Sequence, residues 1–358
     1  MLTSDAYGCN GGIALYNRDV VEALAAMPEI DEIVIVPRNA PLPIEQIPDK
    51  ARFMSAAAGS KFRHIRTVVH AARRPFDLVI CGHINLLPLA TMLGPALRGP
   101  LVLMVYGIDV WQSSYQFARQ WLRKTHAVWA ISATTQKRMN AWAALPESRY
   151  TVLPNAVHLD RYGMAERRPD LVARHRLEGC KVILTLAQLR SVDRYKGIDE
   201  VLDLLPSLIK SAPTLKYLIA GDGDDRPRLE AKVRALGLVD RVIFAGMIDE
   251  SDKADYFRLA DAFVMPGRGE GFGFVFLEAL ACGVPAVGST LDGSREALLD
   301  GQLGELCNPD DHESIRNAIC AAMAKPKGIP SGLSYYAWPA FAERVANAAR
   351  RAIASYQH

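Results

Sequence analysis

The sequence predicts an α/β protein of two doubly wound domains, each a parallel sheet with helices on both faces. Three observations carry this. The chain has 358 residues, more than one hydrophobic core comfortably serves. Short apolar runs alternate with longer amphipathic stretches along its length, the pattern of successive strand–helix units. The scheme occurs twice, with a polar, proline-containing stretch (residues 160–170) between the two sets.

In the first half the strand-like runs are residues 33–36, 78–81, 101–105, 128–131 and 151–153. All but Thr151 in these runs are apolar, as suits strands covered on both faces. Residues 16–26 read as a helix, with Val20, Val21 and Leu24 at helical spacing. A strand should lead into the glycine turn at Gly11 and Gly12, yet only Met1-Leu2-Thr3 precede Ser4-Asp5. A usual strand has about 5–6 residues, so this one is either a short edge or begins further upstream. The second half repeats the scheme at 182–187, 217–220, 242–245, 262–265 and 286–288. The expected domains are 1–165 and 166–335, with a last amphipathic helix in 336–358 packing back on the first.

Half the residues are hydrophobic and 23% are charged, the balance of a folded globular chain. A net charge of +3 is too small to argue for nucleic acid, and no nucleic-acid partner is expected. Six cysteines without a C-x-x-C pair point to buried thiols in a reducing compartment. No apolar run approaches the roughly 18 residues of a membrane span, and no signal peptide is evident. The expected location is cytoplasmic. Two basic, aromatic-laced stretches, 61–74 and 115–124, read first as solvated faces and alternatively as contacts with an anionic membrane at the inner face of the cell envelope.

The densest chemistry follows the 262–265 strand, in Pro266-Gly-Arg-Gly-Glu270-Gly-Phe-Gly-Phe274-Val-Phe-Leu-Glu278. A helix starts near Phe274, and Gly271, Phe272, Gly273 and Phe274 present backbone N–H groups at its positive end, where a phosphate fits. A carboxylate beside a phosphate repels it, so Glu270 suits a hydroxyl-rich group attached to that phosphate. Glu278 lies about 6–9 Å along the helix, a sensible distance to a ribose diol. Arg190 and Lys196, after the 182–187 strand, stand where doubly wound sheets bind ligands and can neutralise a departing diphosphate without a metal. The alternative for two such cations is ordinary solvation. Asp222-Gly-Asp224 matches D-x-D formally but opens a turn, so a capping role is favoured over metal binding.

In the first domain, Gly11-Gly12 offers N–H groups to the same diphosphate. His83, Tyr106, Asp109, Ser132 and Asn155 fall at the carboxyl ends of strands, the active face of such a sheet. Asp109 or His83 can orient an acceptor hydroxyl, whereas Ser132 and Asn155 also suit helix caps.

These residues resemble the retaining glycosyltransferases of family 4, which have the GT-B fold of two facing Rossmann-like domains with a cleft between them. Glu270 and Glu278 match the E-x7-E motif, and Arg190 and Lys196 match the diphosphate-binding pair. Gly11-Gly12 resembles the N-terminal glycine loop, and Leu153-Pro-Asn-Ala-Val157 the L-P-N-G-V segment with Ala156 for glycine. The resemblance implies a UDP- or GDP-sugar donor, no metal or other cofactor, and retained anomeric configuration, with Glu270 facing the sugar and Glu278 the ribose. It makes Glu270, Lys196 and Arg190 candidate catalytic residues, and Asp109 joins them from its place at a strand end in the first domain. Its bacterial polysaccharide subgroup implies a polyprenyl-diphosphate-linked or polysaccharide acceptor and, among other sugars, mannose. Where many members carry His-Gly, this chain has Tyr106-Gly107. A phenol of pKa about 10 does not act as a general base near pH 7, so no imidazole role carries over. Two other readings stay open: a GT-B sugar-nucleotide epimerase, and a non-catalytic nucleotide-sugar-binding protein.

Overall fold

The computed structural model describes residues 1–92, 99–112 and 118–356. The chain divides into two compact units, Met1–Ala156 with Trp338–His358, and Val157–Ala337. The first holds seven strands: β1 (Leu2–Thr3), β2 (Ile33–Pro37), β3 (Ala51–Phe53), β4 (Val79–Gly82), β5 (Leu101–Val105), β6 (Ala127–Ala130) and β7 (Tyr150–Val152). They form one sheet in the order β3-β2-β1-β4-β5-β6-β7, every pair parallel. The second holds β8 (Val182–Leu186), β9 (Lys216–Ala220), β10 (Val242–Gly246), β11 (Ala262–Val264), β12 (Ala286–Ser289) and β13 (Glu305–Cys307), in the order β10-β9-β8-β11-β12-β13, again all parallel. Each is a Rossmann-like sheet.

Both orders reverse direction once, between β1 and β4 and between β8 and β11. At such a switch point the two following loops diverge to opposite faces and leave a crevice at the carboxyl ends of the strands. Loops 4–11 and 83–86 flank it in the first unit, and 187–197 and 265–273 in the second.

The β1 strand is two residues long, yet it lies at the sheet centre, bonded to both β2 and β4. It is therefore no edge: it is paired on both sides, and Thr3 is fully buried. Sequence reading missed β3 and β13. Both are edge strands of three residues, Ala-Arg-Phe and Glu-Leu-Cys, each with a charged residue and too short to form an apolar run. The change of unit comes at Ala156, ahead of the expected 160–170 stretch. That stretch is bonded into the second unit: Gly163 N–H donates to Ala281 O, and Arg167 pairs with Asp261 at 2.7 Å.

The last helix, Trp338–Tyr356, packs on the helix Gly12–Ala25 of the first unit, with the Tyr16 and Phe341 rings edge-to-face at 5.7 Å. All six cysteines are free thiols. No described helix is long and apolar enough to cross a membrane.

Candidate active site

Glycines pull the loops of the second unit into one knot at the carboxyl edge of its sheet. Gly197 has φ +83°, and a Cβ there would overlap Pro266 O, so the loop after β8 lies directly on the loop after β11. Arg268 N–H donates to Tyr195 O at 2.8 Å, and Gly267 and Gly269 flank Tyr195. Gly221 and Gly223 lie as tightly against Ala187 and Leu189, and Gly293 against Gly271. Side chains at these positions would separate the loops.

Arg190 and Lys196 emerge from this knot. The Arg190 side chain is half exposed, and its Nε donates to the buried Asp193 carboxylate at 2.7 Å. That bond aims the guanidinium while leaving its outer nitrogens open. Lys196 is half-buried and among the described residues forms no ion pair. Its charge acts on Glu270, whose carboxyl is raised above its ordinary pKa by burial, lowered by Lys196 and raised by Asp292.

The Glu270 backbone is held at both ends by one loop: its N–H donates to Asp292 Oδ2 at 2.9 Å, and its carbonyl accepts from Gly293 N–H at 2.8 Å. The following helix, Phe274–Ala281, begins after Gly273 at φ +96° and carries no side-chain cap. Its first N–H groups are thus available to an anion. Phe272 contributes backbone only, since its ring is buried against Tyr336 at 5.4 Å. About one turn on, Glu278 is buried, and its Oε1 accepts from Tyr162 Oη at 2.8 Å and Lys253 Nζ at 2.6 Å. Its Oε2 is buried without a hydrogen-bond partner.

Asp222 and Asp224 are each bonded to a neighbouring residue. Asp222 pairs with Arg226 at 3.0 Å, and Asp224 accepts from Ser191 N–H and Oγ. Neither caps the helix Arg226–Ala235, whose N-cap residue is Asp225; Asp224 instead ties the β9 loop to the Arg190 loop. A cavity of about 830 Å³ lined by Arg167, Lys181, Asp261 and Lys327 lies at the other end of β8 and β11, away from these groups.

In the first unit, Gly11 (φ +106°) and Gly12 are exposed at an uncapped helix start. His83 Nδ1 accepts from Asn85 N–H at 3.1 Å, and burial lowers the imidazole pKa. Tyr106 turns inward: its hydroxyl lies 2.8 Å from both Gly82 O and Asn17 Oδ1. It is a packed structural phenol rather than a group offered to an acceptor. Ser132 is the N-cap of the helix Ala133–Ala143, accepting from Thr135 N–H at 3.0 Å. Asn155 is buried and is not the N-cap of the next helical turn, Leu159–Arg161, where that position is His158.

Asp109 Oδ1 accepts from Tyr106 N–H at 3.2 Å across the turn after β5. Burial pushes its carboxyl up to about 7, against the backbone N–H groups of Tyr106, Asp109 and Gly107 that favour its charged form. An unfolded aspartate titrates near 4. Between about pH 4 and 7 the folded state therefore holds the extra proton, and stability falls as pH rises through that window. Asp109→Asn is expected to raise the melting temperature relative to wild type by more at pH 8 than at pH 5. A difference independent of pH in thermal unfolding would refute this.

The basic stretch 61–74 forms the helix Lys61–Ala71, with Phe62, Ile65 and Val69 exposed along one face. Of the second stretch, residues 115–117 lie outside the described residues. Beyond them Lys124 stacks on Trp121 at 4.8 Å.

Two family models match the chain, "Glycosyltransferase Family 4" over residues 10–161 and "Glycosyl transferases group 1" over 170–337. The chain belongs to glycosyltransferase family 4. A curated relative, the GDP-mannose-dependent alpha-(1-6)-phosphatidylinositol monomannoside mannosyltransferase of Mycolicibacterium smegmatis, is 32% identical over 67% of this chain and 66% of its own. The phosphatidyl-myo-inositol mannosyltransferase of Mycobacterium leprae is 35% identical over 48% and 43%. The chain thus spans less than two thirds of the length of these relatives. Among solved structures, Anabaena HepE in complex with UDP and glucose superposes with a TM-score of 0.75 at 19% identity, covering 97% of this chain and 98% of that one. Sucrose-phosphate synthase from Thermosynechococcus elongatus gives 0.74 at 22%, covering 99% and 96%. The fold is GT-B.

In this family 4 chain, Arg190, Lys196, the 270–274 segment and Glu278 are brought together by the second sheet's switch point. Gly11, Gly12, His83, Tyr106, Asp109, Ser132 and Asn155 all follow strands of the first sheet. Sequence reading missed Asp292, Gly293, Tyr162 and Lys253. Asp292-Gly293 sits in a turn after a strand, a signal available but unused. Tyr162 and Lys253 carry no local pattern and meet Glu278 only through the fold.

Proposed function

We propose that this chain is a retaining glycosyltransferase that moves a sugar from a nucleotide-diphosphate sugar to an acceptor hydroxyl. The observation that carries the reading is the pairing of Lys196 and Arg190 with the uncapped helix start at Phe274, flanked by Glu270 and Glu278. Together they suit a diphosphate with a sugar on one side and a ribose on the other. In the reaction the bond between the anomeric carbon and the diphosphate oxygen breaks, and the acceptor oxygen bonds to the same face of that carbon. The acceptor proton passes to the leaving diphosphate. Lys196, Arg190 and the helix N–H groups stabilise the charge that develops there, the work a divalent ion does elsewhere, so the reading includes metal independence. Glu270 holds the sugar, and Asp109 orients the acceptor hydroxyl.

The relatives' printed names, one of them GDP-mannose-dependent, support a GDP- or UDP-sugar donor with mannose first in line. Their phosphatidylinositol substrates support a lipid-linked acceptor, such as a polyprenyl diphosphate sugar, or a polysaccharide precursor. The exposed apolar face and cations of the helix Lys61–Ala71 support peripheral contact with an anionic membrane at its cytoplasmic face.

One assay series tests this. UDP- and GDP-sugars are screened by thermal shift, and the best is incubated with lipid-linked acceptor in anionic or zwitterionic vesicles, with and without EDTA. Transfer with retained configuration, unaffected by EDTA and faster on anionic vesicles, is expected. Conversion of the donor without acceptor would indicate an epimerase, and donor binding without turnover a binding protein. Equal rates on both vesicles would remove the membrane contact.

A further inference from the structure

Glu278 is nearly inaccessible, with 3% of its side chain exposed, and its two oxygens are treated very differently. Oε1 takes two donors, Tyr162 Oη at 2.8 Å and Lys253 Nζ at 2.6 Å. Oε2 takes none, although it too is buried. A buried acceptor left unmatched costs free energy unless a ligand supplies the missing donor. The Lys253 side chain is 14% exposed and also reaches Glu250 at 3.3 Å. Burial opposes its charge, but the Glu278 and Glu250 carboxylates outweigh this and hold the ammonium above the ordinary lysine value. Tyr162 comes from the segment that enters the second unit. It is fixed on the helix Phe274–Ala281 by Gly163 N–H to Ala281 O at 3.0 Å and by Arg258 Nε to Gly163 O at 2.9 Å.

We infer that Lys253 and Tyr162 are positioning residues that fix the Glu278 carboxylate, with Oε1 occupied and Oε2 presented to the ribose hydroxyls of the donor. The inference rests on the reading of Glu278 as the ribose-facing residue. Lys253 offsets the charge of a carboxylate close to a diphosphate site and occupies Oε1, which leaves Oε2 as the open acceptor. Tyr162 fixes the rotation of the carboxylate plane.

The test compares UDP and GDP with their 2′,3′-dideoxy forms by titration calorimetry on the whole chain. Wild type is expected to prefer the ribonucleotide by about 10-fold or more, the worth of one good charge-assisted hydrogen bond. In Lys253→Met and in the near-isosteric Tyr162→Phe that preference is expected to shrink to about 3-fold or less, with dideoxynucleotide affinity little changed. Lys253→Arg should retain most of it. A merely structural role would weaken both ligands together, and that outcome overturns the inference, as does an undiminished preference in Lys253→Met and Tyr162→Phe. If wild type itself does not distinguish the two forms, the ribose reading fails, and the inference with it.

Discussion

Replacing Lys196 with alanine is expected to lower kcat for sugar transfer by about 100- to 1,000-fold, the usual loss when a preorganised group facing developing charge is removed. Among the described residues the ammonium has no ion-pair partner to leave stranded, so the fold should be unaffected and circular dichroism unchanged. The loss should fall on kcat more than on KM, because charge on the leaving diphosphate grows between ground state and transition state. Arg190→Ala should cost less: its guanidinium is half exposed and already shares its charge with Asp193. Steady-state kinetics with a saturating donor checks this, and a Lys196→Ala enzyme within about threefold of wild-type kcat, against the loss expected of such a group, would remove Lys196 from the chemistry.

Gly293→Ala is expected to destabilise the second unit by about 1–3 kcal/mol, the range for overpacking, and to weaken donor binding. The backbone at Gly293 has φ −69°, which any residue adopts, so conformational strain plays no part. The cause is space: a Cβ would overlap Gly271 O and crowd Phe272 N. Relief requires moving the 270–273 segment, whose register depends on Gly293 N–H to Glu270 O and Glu270 N–H to Asp292 Oδ2. For a domain of this size the melting temperature should fall by roughly 2–4 °C per kcal/mol. Thermal unfolding together with donor titration reads both effects, and unchanged values in both would show that the loop has room this structure denies it.

Much of this was legible in the linear chain because the relevant physics is local. Apolar runs long enough to be buried on both faces identified the inner strands. The step from a strand through glycines into a helix located the 270–274 segment without reference to anything distant. The edge strands β3 and β13 escaped because three residues with one exposed face carry almost no pattern. The polar 160–170 stretch suggested a boundary by composition, but hydrogen bonds to Ala281, Asp261 and Glu278 assign it to the second unit.

The segment from Glu270 to Glu278, with Arg190 and Lys196, was thus determined by sequence, as was a pair of parallel α/β units, since both follow from residue type and short-range spacing. Only the tertiary structure decided what each candidate is bonded to. It committed the Tyr106 hydroxyl to Gly82 and Asn17, made Ser132 a helix cap, and locked Asp224 onto Ser191. It also set Tyr162 and Lys253, 116 and 25 residues away in sequence, on a single oxygen of Glu278. The reason is that burial and hydrogen-bond partnership depend on which strands become neighbours, and strand order joins residues whose separation along the chain has no characteristic length.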